Sequence, residues 1–148
     1  MTQYILVADA ARARLVRADD TFEDAEEVED FVHPTARAKA RDLVTSQNTT
    51  STAMPQGPRS ATEEPDPQEL ESRKFAQQLA ARLNHARATN EFERLILVAP
   101  PKFLGMLREE LDAPTTKTIV ASVHKDYTHE SLKDALAAIQ KQITASSR

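Results

Sequence analysis

Short apolar runs alternate with longer amphipathic segments along the chain, and this pattern predicts an α/β fold. The near-continuous apolar runs at 3–8 and 94–99 are typical of strands buried on both faces, and 118–123 follows the same pattern. Residues 12–18 are predicted to pair antiparallel with the first strand through a short turn. The run 28–32 is predicted to be an edge strand, because a His-Pro pair stops it.

Three helices are predicted from apolar residues that recur every three or four positions. The first begins at Asp66 and Pro67, which suit the cap and the first turn, and continues to about residue 89. The apolar residues assigned to the inner faces of the three helices are, in chain order, Leu70, Phe75, Leu79, Leu83 and Ala86; Phe103, Leu104, Leu107 and Leu111; and Leu132, Leu136, Ile139 and Ile143.

This order of elements predicts the topology. Three sequential strands suit antiparallel pairing, whereas strands separated by helices require parallel crossovers. We therefore predict a mixed sheet covered by helices in a three-layer α/β sandwich, similar to the ribonuclease-H-like folds.

With 148 residues the chain is expected to form a single domain over 1–148. Thr45–Glu69 contains no Ile, Leu, Val, Phe, Tyr or Trp, so it cannot contribute to a core. A long, mobile loop is therefore predicted at about 34–66.

Composition excludes several classes of function. The chain has no cysteine and 2 glycines, which excludes disulfides, thiolate metal sites and glycine-rich nucleotide loops. No apolar run approaches the length of a membrane helix, and the N-terminus has no signal-peptide pattern. We expect a cytoplasmic protein without membrane association. The net charge of −4 disfavours a general polyanion binder but allows a local basic surface.

Asp9 is the first candidate for chemistry, because it follows a central strand at the sheet edge where α/β folds bind ligands. One interpretation is a metal-holding aspartate of a phosphoesterase, which would need further carboxylates. The alternative is a turn cap or an ion pair with Arg12 or Arg14.

No metal site, cofactor or catalytic residue is predicted. His124 and His129 are the closest pair of histidines, and their spacing does not aim two imidazoles at one metal. His129 is instead assigned to the entry of the last helix, with Thr128 as a cap. No serine lies in a nucleophile-elbow pattern, so the protein is predicted not to be an enzyme.

Charge is distributed unevenly. Asp19–Asp30 contains only acidic charges and is interpreted as a solvated edge or an acidic docking patch for a protein. Basic residues follow, and they form either a phosphate-contacting surface or a solvated loop: Arg37, Lys39, Arg41, Arg59, Lys102 and Arg108.

Several motifs together resemble the bacterial host attachment protein family. They are Ile5-Leu6-Val7-Ala8-Asp9, Arg12-Ala13-Arg14, His33-Pro34, Arg41-Asp42-Leu43-Val44, Val98-Ala99-Pro100-Pro101-Lys102-Phe103-Leu104-Gly105 and Lys125-Asp126-Tyr127-Thr128-His129. The resemblance implies a role in attachment to host cells. It also implies a fold similar to the middle domain of archaeal and eukaryotic class-1 release factors. Their Gly-Gly-Gln is absent here, so peptidyl-tRNA hydrolysis is not implied.

The leading hypothesis is a non-enzymatic module that binds structured RNA or the ribosome. A protein-interaction module that regulates attachment is the alternative, and a metal-dependent phosphoesterase at Asp9 is the third. Exposed edge strands would allow a homodimer. The residues predicted to form a binding site are Asp9, Arg12, Arg14, Arg41, Asp42, Arg59, Lys102, Asp126 and His129.

Overall fold

The structure, a computed structural model, describes residues 1–33 and 66–146. Its strands are β1 (Gln3–Ala8), β2 (Arg12–Ala18), β3 (Glu26–Val32), β4 (Arg94–Val98) and β5 (Ile119–Val123). Its helices are α1 (Pro67–Ala88), α2 (Pro101–Glu110), α3 (Ala113–Thr116) and α4 (Leu132–Ser146). The predicted α/β class is confirmed.

The five strands form one mixed sheet in the order β3-β2-β1-β4-β5. The β1–β2 and β2–β3 pairs are antiparallel, whereas β1–β4 and β4–β5 are parallel, as predicted. Because β1, β4 and β5 run in the same direction, their carboxyl ends lie along one edge of the sheet. We call this edge, with the residues that directly follow the three strands, the carboxyl edge.

Helices cover both faces of the sheet. On one face, α1 and α2 pack against Leu6, Leu15 and Leu97 through side chains such as Phe75 and Leu107. On the other face, residues of α4 pack against a second cluster that contains Ile5, Val7, Val16, Ile96 and Val98. Alternate residues of β1 belong to the two clusters, because successive side chains of a strand point to opposite faces of the sheet. All six residues of β1 are buried. This is the three-layer arrangement that the sequence predicted.

The prediction for one core residue is wrong. Leu70 is 45% exposed, although it was assigned to the inner face of α1. It precedes Phe75 by five residues, and at about 100° per residue this spacing turns its side chain to the opposite face of the helix. Glu71, four residues before Phe75, occupies the inner position and is 5% exposed.

Other boundaries differ locally from the sequence prediction. β3 begins at Glu26, two residues before the predicted start, and α3 was not predicted because it is a single turn. The predicted cap of the last helix is also wrong. Ser131, not Thr128, caps α4, since its Oγ accepts a hydrogen bond from the Asp134 N–H at 3.1 Å.

A polar network closes the opposite edge of the sheet. The Tyr4 hydroxyl donates to Oε1 of Glu91 at 2.9 Å, and Arg82 donates to the same oxygen at 3.1 Å. Burial opposes the charge of Glu91, but the hydrogen bonds from Tyr4, Arg82 and Thr89 outweigh it and lower the pKa of this carboxyl. Burial and the Glu91 hydrogen bond raise the pKa of Tyr4.

The predicted loop at about 34–66 lies outside the described residues, apart from Asp66. The extent of the domain likewise stays a prediction. Within the two described ranges, no helix has the length and apolar character needed to cross a membrane.

Candidate functional site

Asp9 lies at the centre of the carboxyl edge, directly after β1. Its Oδ1 accepts hydrogen bonds from the backbone N–H groups of Ala11 at 2.8 Å and Arg12 at 2.9 Å. Its own N–H donates to the Arg12 carbonyl at 2.9 Å, which closes the turn into β2. Asp9 thus caps a turn through one carboxylate oxygen, and Oδ2 is left to face another segment.

That segment is the loop after β5, where Thr128 is completely buried. The Thr128 hydroxyl lies 2.9 Å from Asp9 Oδ2 and 2.5 Å from Asp126 Oδ1. Asp126 Oδ1 also accepts a hydrogen bond from the Thr128 N–H at 2.9 Å. The Thr128 hydroxyl therefore lies within hydrogen-bond distance of two carboxylates that are far apart in the sequence, and it keeps them close together.

His129 completes a group of three side chains. Its Nε2 lies 3.8 Å from Asp9 Oδ2, and its side chain is 72% exposed. Asp9, Asp126 and His129 each offer one ligand atom, and these atoms lie within 4.8 Å of one another. Two carboxylates and an imidazole at this separation can hold a divalent cation. The spacing of His124 and His129 gave no reason to expect this group, because its third member comes from the far end of the sequence.

Arg12 and Arg14 lie beside this group on β2. They share the face of the strand opposite to Ala13, which is buried in the α1–α2 core. Arg14 Nη2 donates to the Thr128 carbonyl at 3.3 Å, whereas Arg14 Nη1 is buried without a hydrogen-bond partner. Neither arginine forms an ion pair with a carboxylate within the described ranges. The predicted pairing of Asp9 with one of these arginines is therefore wrong.

A pocket of about 330 Å³ lies over this part of the sheet. Its lining includes both arginines together with Glu27, Asp30 and Val32 of β3. The outer side of β3 has no partner strand within the described sheet. An incoming anion could reach the guanidinium groups from here, although the two acidic residues reduce the local positive potential.

Lys102 lies at the same edge but on the side of α1 and α2. Its ammonium nitrogen is 3.6 Å from Glu69 Oε1, and its side chain is 75% exposed. It borders a pocket of about 260 Å³ that is also lined by Ala10, Asp66 and Phe103. The predicted site residues thus occupy two sides of the turn that follows β1.

His33 and Asp66 bring both ends of the 34–65 segment to this edge. The His33 N–H donates to the Ala11 carbonyl at 2.8 Å, and its ring nitrogen lies 3.2 Å from Glu71 Oε2. The His33 ring also stacks on Phe75. The predicted site residues Arg41, Asp42 and Arg59 lie outside the described residues, and their part in a site stays a prediction.

Sequence reasoning missed two residues of this region. Thr128 was assigned to a helix cap, although the Asp-x-Thr spacing after β5 is typical of a turn in which aspartate accepts from the threonine. Glu71 was not assigned, although counting back four positions from Phe75 places it on the inner face of α1. Both signals were present in the sequence.

The fold is similar to that of a solved archaeal protein. The crystal structure of an archaeal translation termination factor matches with a TM-score of 0.50 and 10% sequence identity. The match covers 99% of this chain and 41% of the termination factor, so the chain spans less than half the length of that protein. At this identity the likeness shows the fold alone.

Comparison with curated proteins gives no significant match. The sequence does match the host attachment family, described as protein required for attachment to host cells, over residues 4–139. This match covers most of the chain and includes every described residue of the candidate site. The chain therefore belongs to the host attachment family.

Proposed function

We propose that the protein is a cytoplasmic, non-enzymatic module that binds structured RNA or the ribosome through the carboxyl edge. Family membership connects the chain with attachment to host cells but names no ligand. The observation that carries the proposal is the pair Arg12 and Arg14, which lie side by side without a carboxylate partner among the described residues. Arginine without a protein counter-ion is suited to contact phosphate.

The other end of β2 provides a comparison within the same strand. Arg17 forms an ion pair with Glu26 of β3 and is therefore already neutralised. Arg12 and Arg14 keep their positive charge available, and Arg14 is also oriented by its bond to the Thr128 carbonyl. The strand thus has two arginines without an ion pair at the carboxyl edge and an ion-paired arginine away from it.

Two further features support RNA as the phosphate-containing ligand. Lys102 lies on the other side of the edge, in the first turn of α2, and its side chain is 75% exposed although it pairs with Glu69 at 3.6 Å. In addition, the similar archaeal protein is a translation termination factor, so ribosomal RNA is the first RNA to test. Since the net charge is −4, we expect a small number of phosphate contacts, and each contact adds about one unit to the slope of log affinity against log salt.

The test is binding of the purified protein to ribosomal RNA and to ribosomes at about 50 and 200 mM salt. Replacement of both Arg12 and Arg14 by glutamine should weaken binding at low salt. It should also reduce the slope of log affinity against log salt by about one for each phosphate that the variant no longer binds. Arg17→Gln is the control for the single variants Arg12→Gln and Arg14→Gln, because each of the three removes one positive charge from the same strand.

Two results would overturn the proposal. One is the absence of co-sedimentation with ribosomes and of any RNA shift at low salt. The other is an equal loss of affinity in Arg17→Gln, Arg12→Gln and Arg14→Gln, since this would mean that only net charge matters.

A second candidate function is a protein-interaction module that regulates attachment. The outer edge of β3 has no partner strand in the described sheet, and Val28 and Val32 are 37% and 51% exposed. A protein could add a strand at this edge. The acidic patch is a weaker argument, because Asp20 and Glu29 already pair with Arg94 and Arg82. A partner that persists at high salt and no longer binds Val32→Lys would favour this function over RNA binding.

A further inference from the structure

Two carboxylates, in the loops after β1 and β5, form no ion pair with a lysine or arginine of the described residues. Asp9 Oδ2 and Asp126 Oδ1 both lie within hydrogen-bond distance of the Thr128 hydroxyl, at 2.9 and 2.5 Å. A hydroxyl has one proton, so it can donate to only one of these oxygens at a time. The other carboxylate oxygen then faces a hydroxyl lone pair.

Asp126 is exposed to solvent, and Asp9 has a possible ion-pair partner in His129. No lysine or arginine nitrogen of the described chain lies within 4.0 Å of either carboxylate, and Arg14 reaches only the Thr128 carbonyl. Thr128 is completely buried, which keeps bulk water from its side chain. The nearest titratable partner is the imidazole of His129, at 3.8 Å from Asp9 Oδ2. A deprotonated imidazole nitrogen offers a lone pair to a metal ion.

We propose that Asp9, Asp126 and His129 form a binding site for a single divalent transition-metal ion such as Mn²⁺ or Zn²⁺. The three ligand atoms already lie within 4.8 Å of one another, so small side-chain movements bring them onto one ion. Two carboxylate oxygens and one imidazole nitrogen favour Mn²⁺ or Zn²⁺ over Ca²⁺, which prefers oxygen ligands throughout.

The ligands are held before the ion arrives. Two backbone N–H groups fix Asp9 Oδ1, and this orients Oδ2 towards the loop after β5. Asp126 is fixed in the same way by the Thr128 N–H. His129 is exposed and can rotate to complete the site, and water would fill the remaining coordination positions. The hydroxyl of Thr128 orients both carboxylates without binding the ion itself.

The inference is independent of RNA binding, because the ion and its ligands involve neither Arg12 nor Lys102. The test uses the untagged chain of 148 residues after treatment with a chelator, in the absence of RNA. Mn²⁺ and Zn²⁺ are titrated separately, with free Mn²⁺ measured by electron paramagnetic resonance and heat measured by calorimetry. We expect one ion per chain and a metal-dependent rise in Tm.

Asp126→Asn and His129→Gln should each reduce affinity by at least about tenfold, because each removes a direct ligand. His129→Gln changes an exposed side chain, so its Tm without metal should remain close to that of the original protein. His124→Gln and Asp134→Asn are the matched controls, since both residues are exposed and neither belongs to the group.

Absence of stoichiometric binding at about 1 mM of either ion would overturn the proposal. Equal affinity in His129→Gln and His124→Gln would also overturn it, because binding would then not involve the imidazole of this group. Since neither measurement includes RNA, failure here leaves the proposed RNA binding to its own experiment.

Discussion

The buried hydroxyl of Thr128 lies 2.9 Å from the carboxylate of Asp9 and connects residues that are 119 positions apart in the sequence. This contact fastens the loop after β5 to the turn after β1. The two central elements of the candidate site therefore depend on each other for their positions. A change at Thr128 tests that dependence directly.

Thr128→Val keeps the shape of the side chain and removes its hydroxyl. We expect a loss of about 1–3 kcal/mol in the free energy of unfolding, because the two carboxylates then lack their buried hydrogen-bond donor. Urea denaturation measures this loss. Thr144→Val is the control, since the exposed Thr144 hydroxyl bonds only to the carbonyl of its own helix. Equal stability of both variants would contradict the importance of the Asp9 contact.

Ser131→Ala should destabilise the protein by about 1 kcal/mol, since it removes the cap from the first turn of α4. Ser131→Asp should retain most of the stability, because aspartate is also a good cap. Thermal and urea unfolding of the two variants provide the comparison. If alanine and aspartate were equivalent at this position, the capping role of Ser131 would be wrong.

Leu79→Ala and Leu70→Ala make the same chemical change on opposite faces of α1. Leu79 is 1% exposed, so its truncation should cost about 2–5 kcal/mol. Leu70 is 45% exposed, and its truncation should cost less than about 0.5 kcal/mol. Urea midpoints measured under the same conditions distinguish the two faces. A large loss for Leu70→Ala would place this residue in a core after all.

The lowered pKa of Glu91 predicts that the stability of the protein depends on pH. The pKa of its carboxyl is lower in the folded chain than the usual 4.5, so the ionised form stabilises the fold above that pH. This contribution is lost as the pH falls through the lowered value. The stability difference between the original protein and Glu91→Gln should therefore shrink between about pH 6 and pH 3.

The measurement is urea unfolding at several pH values across that range. Glu93→Gln serves as the control, because the Glu93 side chain is exposed and its backbone alone is hydrogen-bonded, to Thr2. A constant difference between the original protein and Glu91→Gln across the range would show that the carboxyl does not titrate as expected.

Most of the sheet was predictable because its signals are local. The run that forms β1 is apolar apart from Gln3, which is typical of a strand that is buried on both faces. The order of strands and helices then limits the pairing, since antiparallel neighbours accept short links and parallel ones need crossovers. The position of Asp9 at the carboxyl edge followed from this topology.

The contacts made by Asp9 were not predictable in the same way. The sequence suggested a turn cap or a partner among the nearby arginines, and only the turn cap is present. The contact with Thr128 depends on where β5 ends relative to β1 in space, which no local pattern specifies. Leu70 shows a second limit, because an apolar residue near the start of a helix can lie on either face. Only its angular position relative to Phe75 distinguishes the two.

His33 and Asp66 return the chain to the same edge of the sheet, and every strand pair that the structure describes forms between residues outside 34–65. The cost of closing a connection grows slowly, by about 0.6 kcal/mol for each doubling of its length. We therefore expect changes of length between these two anchors to leave the register of the described strands unchanged. Variation in length at this one stretch would then leave the Asp9 turn in place.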